Sequence, residues 1–210
     1  MNIKNKSLYG VNIVFLLTDN IEYPENESFL GLFSGEDAKG ARFNDNSNVN
    51  LKILEVPAVG LSIILEGKRL RIEDRSLKNP EDSSLIEHAT TIFQKLFPNN
   101  ANILTGYGFN FDLYYQLRDV VRINDLFAQI NPSPMPLGET LVNLGWQWTI
   151  ARKDGRSFDG YFLKITAPLE VAVHHNLHQN DKKLPTTEEL KKEFITAFTE
   201  THEHISSFVI

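Results

Sequence analysis

The stretches GVNIVFLL, at residues 10–17, and GFNFDLYY, at residues 108–115, share one pattern. Each has glycine, an apolar residue, asparagine and an apolar residue, followed by any residue and three apolar or aromatic residues. Each also opens a run of strand-like segments that ends in one amphipathic helix. We therefore predict a single domain over residues 1–210, built from a strands-then-helix unit used twice, with halves of about 1–98 and 99–210.

Composition and charge narrow the class of protein. A chain of 210 residues, of which 41% are hydrophobic and 23% charged, is long and apolar enough to bury a core. The net charge of −6 argues against a protein whose main task is binding nucleic acid, because such proteins carry a basic surface. We expect no nucleic-acid partner.

The residue types that are missing exclude several chemistries. The chain has no cysteine, which excludes disulfides, thiolate catalysis and cysteine-ligated metal sites. No apolar run approaches the roughly 18–20 residues that a membrane span needs. The first residues also lack the ordered regions of a signal peptide. We expect a soluble, cytoplasmic protein without a membrane partner.

In the first half, residues 8–18 alternate in polarity as in a strand, with Tyr9 predicted on the same face as the apolar residues from position 11 to 17. Three further strands are predicted at residues 51–56, 59–65 and 69–73. Residues 19–50 are rich in polar residues and glycine, and we predict a long loop there, of the kind that forms lids or binding loops or is disordered.

The first long helix is predicted to begin at Asn79 and Pro80, a favourable N-cap followed by a favourable first helical residue. The second is predicted to begin at Thr186, where Glu189 completes a capping box. Between them lie a strand around residues 107–115, a short helix at 120–130, a proline-rich connector at 131–136, and strands at 141–151, 158–167 and 169–177, with a hairpin turn at 154–155.

This order of elements predicts an α+β fold. Hairpins imply a mostly antiparallel sheet, and a helix after each run of strands implies two long helices packed on one face of it. The other face, which we call the open face, is then the working surface of a binding or interaction module, and the loop at 19–50 either closes over it or mediates self-association. The predicted ligand-binding residues on that face are Asn110, Asp112, Tyr114, Gln147, His174 and His178. A protein partner fits this function, and a homodimer is the default assembly.

A metal-dependent enzyme is the alternative. His174 and His178, with His202 and His204 near the end of the chain, form a thiol-free set that would suit a divalent metal. On a strand, however, residues four apart are separated by roughly 13 Å, too far for one metal to bridge. The set would need a helical turn at 174–178, and exposed histidines at element ends are the structural alternative. No other cofactor is predicted.

Other candidate chemistry is weakly supported. Neither a Gly-x-Ser-x-Gly nor a His-Glu-x-x-His motif occurs, and the glycines at 106 and 108 open a strand rather than a helix. Asp112, inside an aromatic strand, is a general base, the partner of a cation such as Arg118, Arg122 or Arg152, or a residue that faces water. Trp146 and Trp148 share one strand face, which indicates a core or interface more than a ligand groove. The sequence alone does not choose a function.

Overall fold

A computed structural model describes residues 3–19, 21–98, 102–118, 146–151, 157–167, 170–180 and 182–207, with backbone alone at 117, 146–151, 157–167, 170–171 and 204–207. Within these residues, nine strands form one sheet in which every neighbouring pair is antiparallel. The α+β class and the antiparallel sheet are thereby confirmed. The strands are β1 (Ile3–Leu17), β2 (Arg42–Asn46), β3 (Leu51–Val56), β4 (Leu61–Glu66), β5 (Arg69–Asp74), β6 (Leu104–Leu117), β7 (Trp146–Ala151), β8 (Ser157–Ala167) and β9 (Glu170–Gln179).

The first strand of each predicted half lies at the centre of the sheet. The strand order is β2-β3-β4-β5-β1-β6-β9-β8-β7. β1 therefore pairs with β5, the last strand before a helix, and β6 pairs with β9 in the same way. A long pairing of β1 with β6 lies at the centre of the sheet.

Three α-helices lie within the described residues: α1 (Asn26–Leu30), α2 (Leu85–Leu96) and α3 (Thr187–Ser207). The capping box predicted for α3 is confirmed, because the Thr186 amide donates to Glu189 Oε2 at 2.9 Å and the Glu189 amide donates to Thr186 Oγ1 at 3.3 Å. None of these helices is long and apolar enough to cross a membrane.

The predicted start of α2 was wrong by five residues. The helix begins at Leu85 rather than at Pro80, and residues 79–82 form a separate turn closed by a hydrogen bond from the Asp82 amide to the Asn79 carbonyl. Ser83 Oγ donates to Asp74 Oδ2 at 2.5 Å and accepts from the Leu85 amide at 3.1 Å. This bond to β5 anchors the chain before the helix, which local capping preferences do not reveal.

Strand alternation places the core on one face of the central strands. Phe15 of β1 packs on Phe93 of α2 with ring centroids 4.9 Å apart. Phe109 and Phe111 of β6 each lie 5.4 Å from Phe194 of α3. We call this the apolar face, and the opposite side is the open face.

Tyr9 departs from the face that alternation predicts. The pairing of β1 with β6 shifts between Leu8, opposite Leu113, and Gly10, opposite Asp112, so Tyr9 is the extra residue of a β-bulge. Its side chain is 46% exposed, whereas the alternating residues beyond it are buried. A bulge changes the alternation by one residue, and the polarity pattern of a single strand does not show where it occurs.

Residues 19–50 are not the long loop that their composition predicts. They contain α1, two 3₁₀ turns at 35–38 and 47–49, and β2 at the sheet edge. Phe29 is fully buried beside Phe43, and Lys95 of α2 donates to the Leu32 carbonyl at 2.9 Å. This part of the segment packs beside α2, so a lid that closes over the open face was the wrong prediction for it. The buried Phe29 and Leu32 thus tie a segment of polar composition to the core.

Several predictions lie outside the described residues. These are the short helix at 120–130, the proline-rich connector at 131–136 and the hairpin turn at 154–155. The predicted strand at 141–151 is described only as β7, from Trp146 onwards.

Candidate functional site

The two echoing stretches pair with each other at the centre of the sheet. Asn12 of the first is the direct cross-strand partner of Asn110 of the second. The side-chain Nδ2 of Asn110 donates to Asn12 Oδ1 at 2.8 Å. Gly10 then faces Asp112, and Gly108 faces Val14. Each glycine thus pairs with the fifth residue of the other stretch, so the pairing is symmetric about the two asparagines.

The asparagine pair belongs to a row of polar residues that crosses the whole sheet. Cross-strand register links one polar residue on each of the nine strands, and alternation assigns all nine positions to the open face. We call them the polar row; in spatial order they are Arg42, Glu55, Ser62, Glu73, Asn12, Asn110, Asn176, Asp159 and Thr149.

A second row lies one residue along every strand and is entirely apolar. Its positions fall on the opposite face because successive side chains on a strand alternate. We call these the apolar row: Phe43, Leu54, Ile63, Ile72, Ile13, Phe109, Leu177, Phe158 and Ile150.

Two members of the polar row carry buried polar atoms without a hydrogen-bond partner. Ser62 is 2% exposed, and its hydroxyl has no partner; the buried Oδ1 of Asn176 also has none. A buried polar group left unsatisfied costs about 1–3 kcal/mol of stability. Such groups are few in native proteins and usually have an explanation in function or bound solvent.

Each of these two residues lines a depression in the surface. Ser62, Arg75 and Lys78 line a depression of about 650 Å³ near the turn that joins β3 and β4. Asn176 lies in one of about 370 Å³ over the centre of the sheet, whose wall combines Val14 and Leu16 with polar side chains. Both volumes fall within or near the range of small-ligand sites.

The acidic residue between the two depressions is neutralised. Glu73 Oε2 lies 2.7 Å from Arg75 Nη2, and its Oε1 lies 3.1 Å from Arg71 Nε. Two positively charged guanidinium groups therefore flank one carboxylate beside the asparagine pair, so this part of the polar row carries an excess of positive charge.

The two echo glycines make room for side chains from neighbouring strands. A Cβ atom on Gly10 would collide with Asp112 Oδ2, closer than real Cβ contacts occur. A Cβ on Gly108 would lie 2.8 Å from the Leu177 carbonyl oxygen and 3.2 Å from Asn176 Oδ1. Gly10 thus lets a carboxylate lie across β1, and Gly108 lets a neighbouring backbone and amide approach β6.

Asp112 uses this space to bind His174. Its Oδ1 lies 2.6 Å from His174 Nδ1, and both side chains are partly exposed. A carboxylate that accepts from Nδ1 fixes the tautomer of a neutral imidazole and leaves Nε2 as the acceptor nitrogen. Burial raises the pKa of nearby Tyr9, and the charge of Asp112 raises that pKa further. The arrangement could orient a ligand, move a proton or hold a metal-bound imidazole.

The register places the predicted ligand-binding residues in adjacent rows. Asn110 lies in the polar row, and Asp112, His174 and Gln147 lie in the next, where His174 pairs with Tyr161 and Tyr161 with Gln147. His178 lies on the other side of the polar row, opposite Gly108, and its Nε2 is 2.9 Å from Asn180 Oδ1. Tyr114 lies one row beyond Asp112, opposite Ser7 and Ala172.

Sequence reasoning missed Asn12, Ser62, Glu73 and Asn176 as site residues. The signal for Asn12 was present, since both echoing stretches place asparagine third. Ser62 and Glu73 carried no signal, because only the register aligns them with the asparagines.

The four histidines proposed for a metal do not converge within the described side chains. His174 and His178 are on the open face, whereas His202 of α3 reaches the apolar face, where its Nδ1 lies 2.7 Å from the Tyr115 hydroxyl. His204 is described by its backbone alone. Among the described residues, no group of three histidine or carboxylate side chains is placed to hold a metal. The strand at 174–178 replaces the helical turn that the metal site required.

The apolar face contains buried histidine contacts that have a structural explanation. His175 is fully buried, and its Nδ1 lies 2.8 Å from Thr201 Oγ1 of α3. Burial, and then the charge of Lys6, lowers the pKa of His202 to about 4. Burial also raises the pKa of its partner Tyr115. His202 is therefore neutral near pH 7, and the contacts of both histidines join α3 to the sheet.

Comparison with known proteins assigns no family. No protein-family model matches the chain, and no curated protein matches it. Among solved structures, it is similar to Methanococcus jannaschii TBP with a TM-score of 0.37 and 9% sequence identity, over 93% of this chain and 99% of that chain. A likeness at this TM-score carries no argument about function.

Proposed function

We propose that this protein is a binding module that takes its ligand on the open face, along the polar row. The observation that carries the proposal is the depression of about 370 Å³ over the centre of the sheet, where Asn110 and Asn176 lie beside apolar side chains.

The surroundings of Asn176 support a ligand site rather than a defect of packing. Apolar side chains of Val14 and Leu16 share the wall of the depression with Asn110, Arg69 and the Asn176 amide. Small-molecule sites have this composition, with an apolar wall and a few placed polar groups. The segment at 19–50 is not part of the proposal, since its anchors pack beside α2.

A screen of small, chemically diverse fragments by NMR tests the proposal. We expect fragment hits to shift the backbone amide signals of Gly108 and Asn110 and the side-chain amide signals of Asn12 and Asn176. Hits should be weakened by Asn176→Leu and unchanged by Asn48→Leu, an exposed asparagine in the 3₁₀ turn at 47–49. Hits that map elsewhere, or the absence of hits, would refute an open-face binding module.

A metal-dependent enzyme is the second candidate function, and the bond between Asp112 and His174 favours it. In metal-bound imidazoles the N–H of the other ring nitrogen commonly donates to a carboxylate, and His174 Nδ1 lies 2.6 Å from Asp112 Oδ1. Elemental analysis of protein purified without an affinity tag tests this function. Substoichiometric metal, with no thermal shift in zinc, nickel or manganese, would eliminate it.

We further propose that the halves descend from one duplicated unit and that each unit is closed by its helix, α2 or α3. The symmetric pairing about Asn12 and Asn110 supports this origin, as does the pairing of each half's first strand with its last. A homodimer, a protein partner and a cytoplasmic location remain predictions. Sedimentation equilibrium tests the first: a monomer mass at all concentrations would refute the homodimer.

A further inference from the structure

We propose that the ligand of the open face is a small carboxylic acid with an apolar body, bound as its carboxylate by Arg69 in the depression over the centre of the sheet. This inference rests on the proposed function and names the ligand class of that same site. The depression combines a cation on one side, apolar side chains in the middle and neutral polar groups on the other side, and each part matches one part of such a molecule.

Arg69 is the basic residue of this part of the sheet that is available to a ligand. Lys68 beside it forms an ion pair with Asp19. Arg71, the next residue of β5 on the same face, lies 3.1 Å from Glu73. Within the described part of the chain, Arg69 forms no ion pair, and its side chain is exposed. It lines the depression and leaves a full positive charge there.

No carboxylate of the described residues competes for this charge inside the depression, because none of those that line it is acidic. Glu66, on β4, is the cross-strand partner of Arg69, and it is exposed at the hairpin end, outside the depression. Ion pairs at such exposed positions contribute little, so a ligand that contacts Arg69 displaces no strong partner. The depression therefore favours an anion over a neutral or cationic ligand.

The middle of the depression offers room and apolar contact. Val14 and Leu16 line it from β1, and Gly108 lines it from β6 without a side chain. Arg69 and His178 lie on β5 and β9, three strand spacings apart, which is about 14 Å between backbones. An apolar body can lie over Val14 and Gly108 while its carboxylate contacts Arg69.

The far side carries polar groups without a fixed charge. Asn176 and His178 line the depression from β9, and the His178 ring lies against β6, since a Cβ on Gly106 would be 3.3 Å from its Cε1. The Nε2 of His178 lies 2.9 Å from Asn180 Oδ1. A second anionic group of the ligand would meet no fixed cation there, so the site suits a monoanion.

The backbone of the site favours carboxylate over phosphate. Phosphate sites commonly use the free N–H groups of a helix N-terminus or of a backbone nest. The depression lies on β5, β1, β6 and β9, each of which is paired with a neighbour on both sides, so the sheet ladders engage their N–H groups. One planar guanidinium instead matches one carboxylate through two parallel hydrogen bonds.

NMR titration of the full chain with matched pairs of probes tests the inference. The carboxylates are octanoate and 2-naphthoate, and their neutral counterparts are octanamide and 2-naphthamide. Acetate supplies the carboxylate without an apolar body, and inorganic phosphate supplies the other anion. We expect at least one of the two larger carboxylates to shift the backbone amide signal of Gly108 and the side-chain amide signals of Asn176. It should bind about tenfold more tightly than its amide, which lacks the charge that Arg69 recognises.

Variants connect the binding to Arg69. Arg69→Gln should weaken that carboxylate about tenfold and leave its amide unchanged. Arg69→Lys keeps the charge and loses the paired hydrogen bonds, so its affinity should fall between the two. Lys192→Gln removes one positive charge from an exposed position of α3, on the other side of the sheet, and should change neither affinity. Urea unfolding shows whether each variant is folded, and the comparison of acid with amide in the native chain needs no variant.

Several outcomes would overturn the carboxylate and leave the open-face module standing. These are equal affinity of acid and amide, tighter binding of phosphate than of either larger carboxylate, or an equal loss of affinity in Arg69→Gln and Lys192→Gln. Acetate that binds as tightly as octanoate and 2-naphthoate would overturn the apolar body. Fragment hits at the depression with no carboxylate binding would overturn the ligand class alone, whereas absence of both would overturn the proposed function together with its ligand.

Discussion

The polar row and the apolar row run side by side across the same nine strands, yet they share no type of residue. At the centre, Asn110 of the polar row follows Phe109 of the apolar row directly in sequence. Phe109 is fully buried and packs on Phe194, whereas Asn110 bonds to Asn12 on the other face. The difference teaches that polar and apolar residues alternate along each strand here, and that the register aligns the polar positions of all nine strands with one another. Central residues of the apolar row belong to the buried core, whereas the proposed recognition lies with the polar row.

The largest expected effect on the free energy of unfolding comes from truncating a buried side chain of the apolar row. Phe109→Ala removes a buried ring that contacts Phe194 at 5.4 Å and Tyr107 at 5.9 Å, so we expect a loss of about 3–5 kcal/mol in the free energy of unfolding. Asn110→Ala should cost only about 1 kcal/mol, for one lost hydrogen bond. Urea unfolding of both variants measures the difference. Equal losses would contradict the division of roles between the rows.

The next largest effect is expected from removing a polar contact that holds α3 on the apolar face. The Tyr107 hydroxyl lies 2.7 Å from Gln179 Oε1 and 2.7 Å from Glu193 Oε2, the latter on α3. Tyr107→Phe removes a hydrogen bond to a carboxylate and should cost about 1.5–3 kcal/mol of unfolding free energy. Tyr9→Phe, at an exposed tyrosine, is the matched control and should change it by less than about 0.5 kcal/mol. If Tyr107→Phe leaves the free energy of unfolding unchanged, α3 is held by its apolar contacts alone.

Within the polar row, satisfied and unsatisfied asparagines should respond with opposite signs. Asn12→Leu breaks the bond with Asn110 and should lower the free energy of unfolding by about 1 kcal/mol. Asn176→Leu removes a buried oxygen that has no partner and should leave stability unchanged or raise it by up to about 1 kcal/mol. Thermal unfolding compares the two directly. If Asn176→Leu destabilises as much as Asn12→Leu, the Asn176 amide is structural.

The smallest expected effect is a dependence of stability on pH from His202. Its folded pKa of about 4 is below the usual 6.5, so the unfolded chain takes up a proton first as pH falls. The stability that neutral His202 contributes is therefore fully present above pH 6.5 and is lost as pH falls towards 4. The His202 side chain is only partly buried, so solvent screens the penalty and keeps the effect small.

Comparing unfolding free energies at pH 7 and pH 5 for the native chain and His202→Gln isolates this effect. The variant should lose less stability between the two values. An identical loss would assign the pH dependence to other groups.

Much of the fold was predictable from the sequence because local patterns agree with it. The paired echoes gave the two central strands, and Thr186 with Glu189 gave the start of α3. Contacts distant in sequence explain the errors. Asp74 anchors Ser83 and moves the start of α2, and Lys95 holds the segment at 19–50 that composition assigned to a loop.

The candidate site was predictable in part. The prediction selected Asn110, Asp112 and His174 by their place on a strand of mixed polarity, and the register brings all three to adjacent rows. It could not select Ser62 or Glu73, because a serine or glutamate on an amphipathic strand usually faces water without further meaning. The four-histidine set failed for a physical reason: His202 lies on the opposite face of the sheet from His174.

The sequence by itself determined which residues alternate on each strand, where glycine permits close approach, and which chemistries the missing cysteines exclude. Period-two alternation is local, so it needs only neighbouring residues. Only the tertiary structure decided that nine such strands align to make one polar row and one apolar row. Register depends on pairing between strands that are distant in sequence, such as the pairing of Asn12 with Asn110, which are 98 residues apart. A shift of one residue in any pairing would have moved that strand's polar position to the other face.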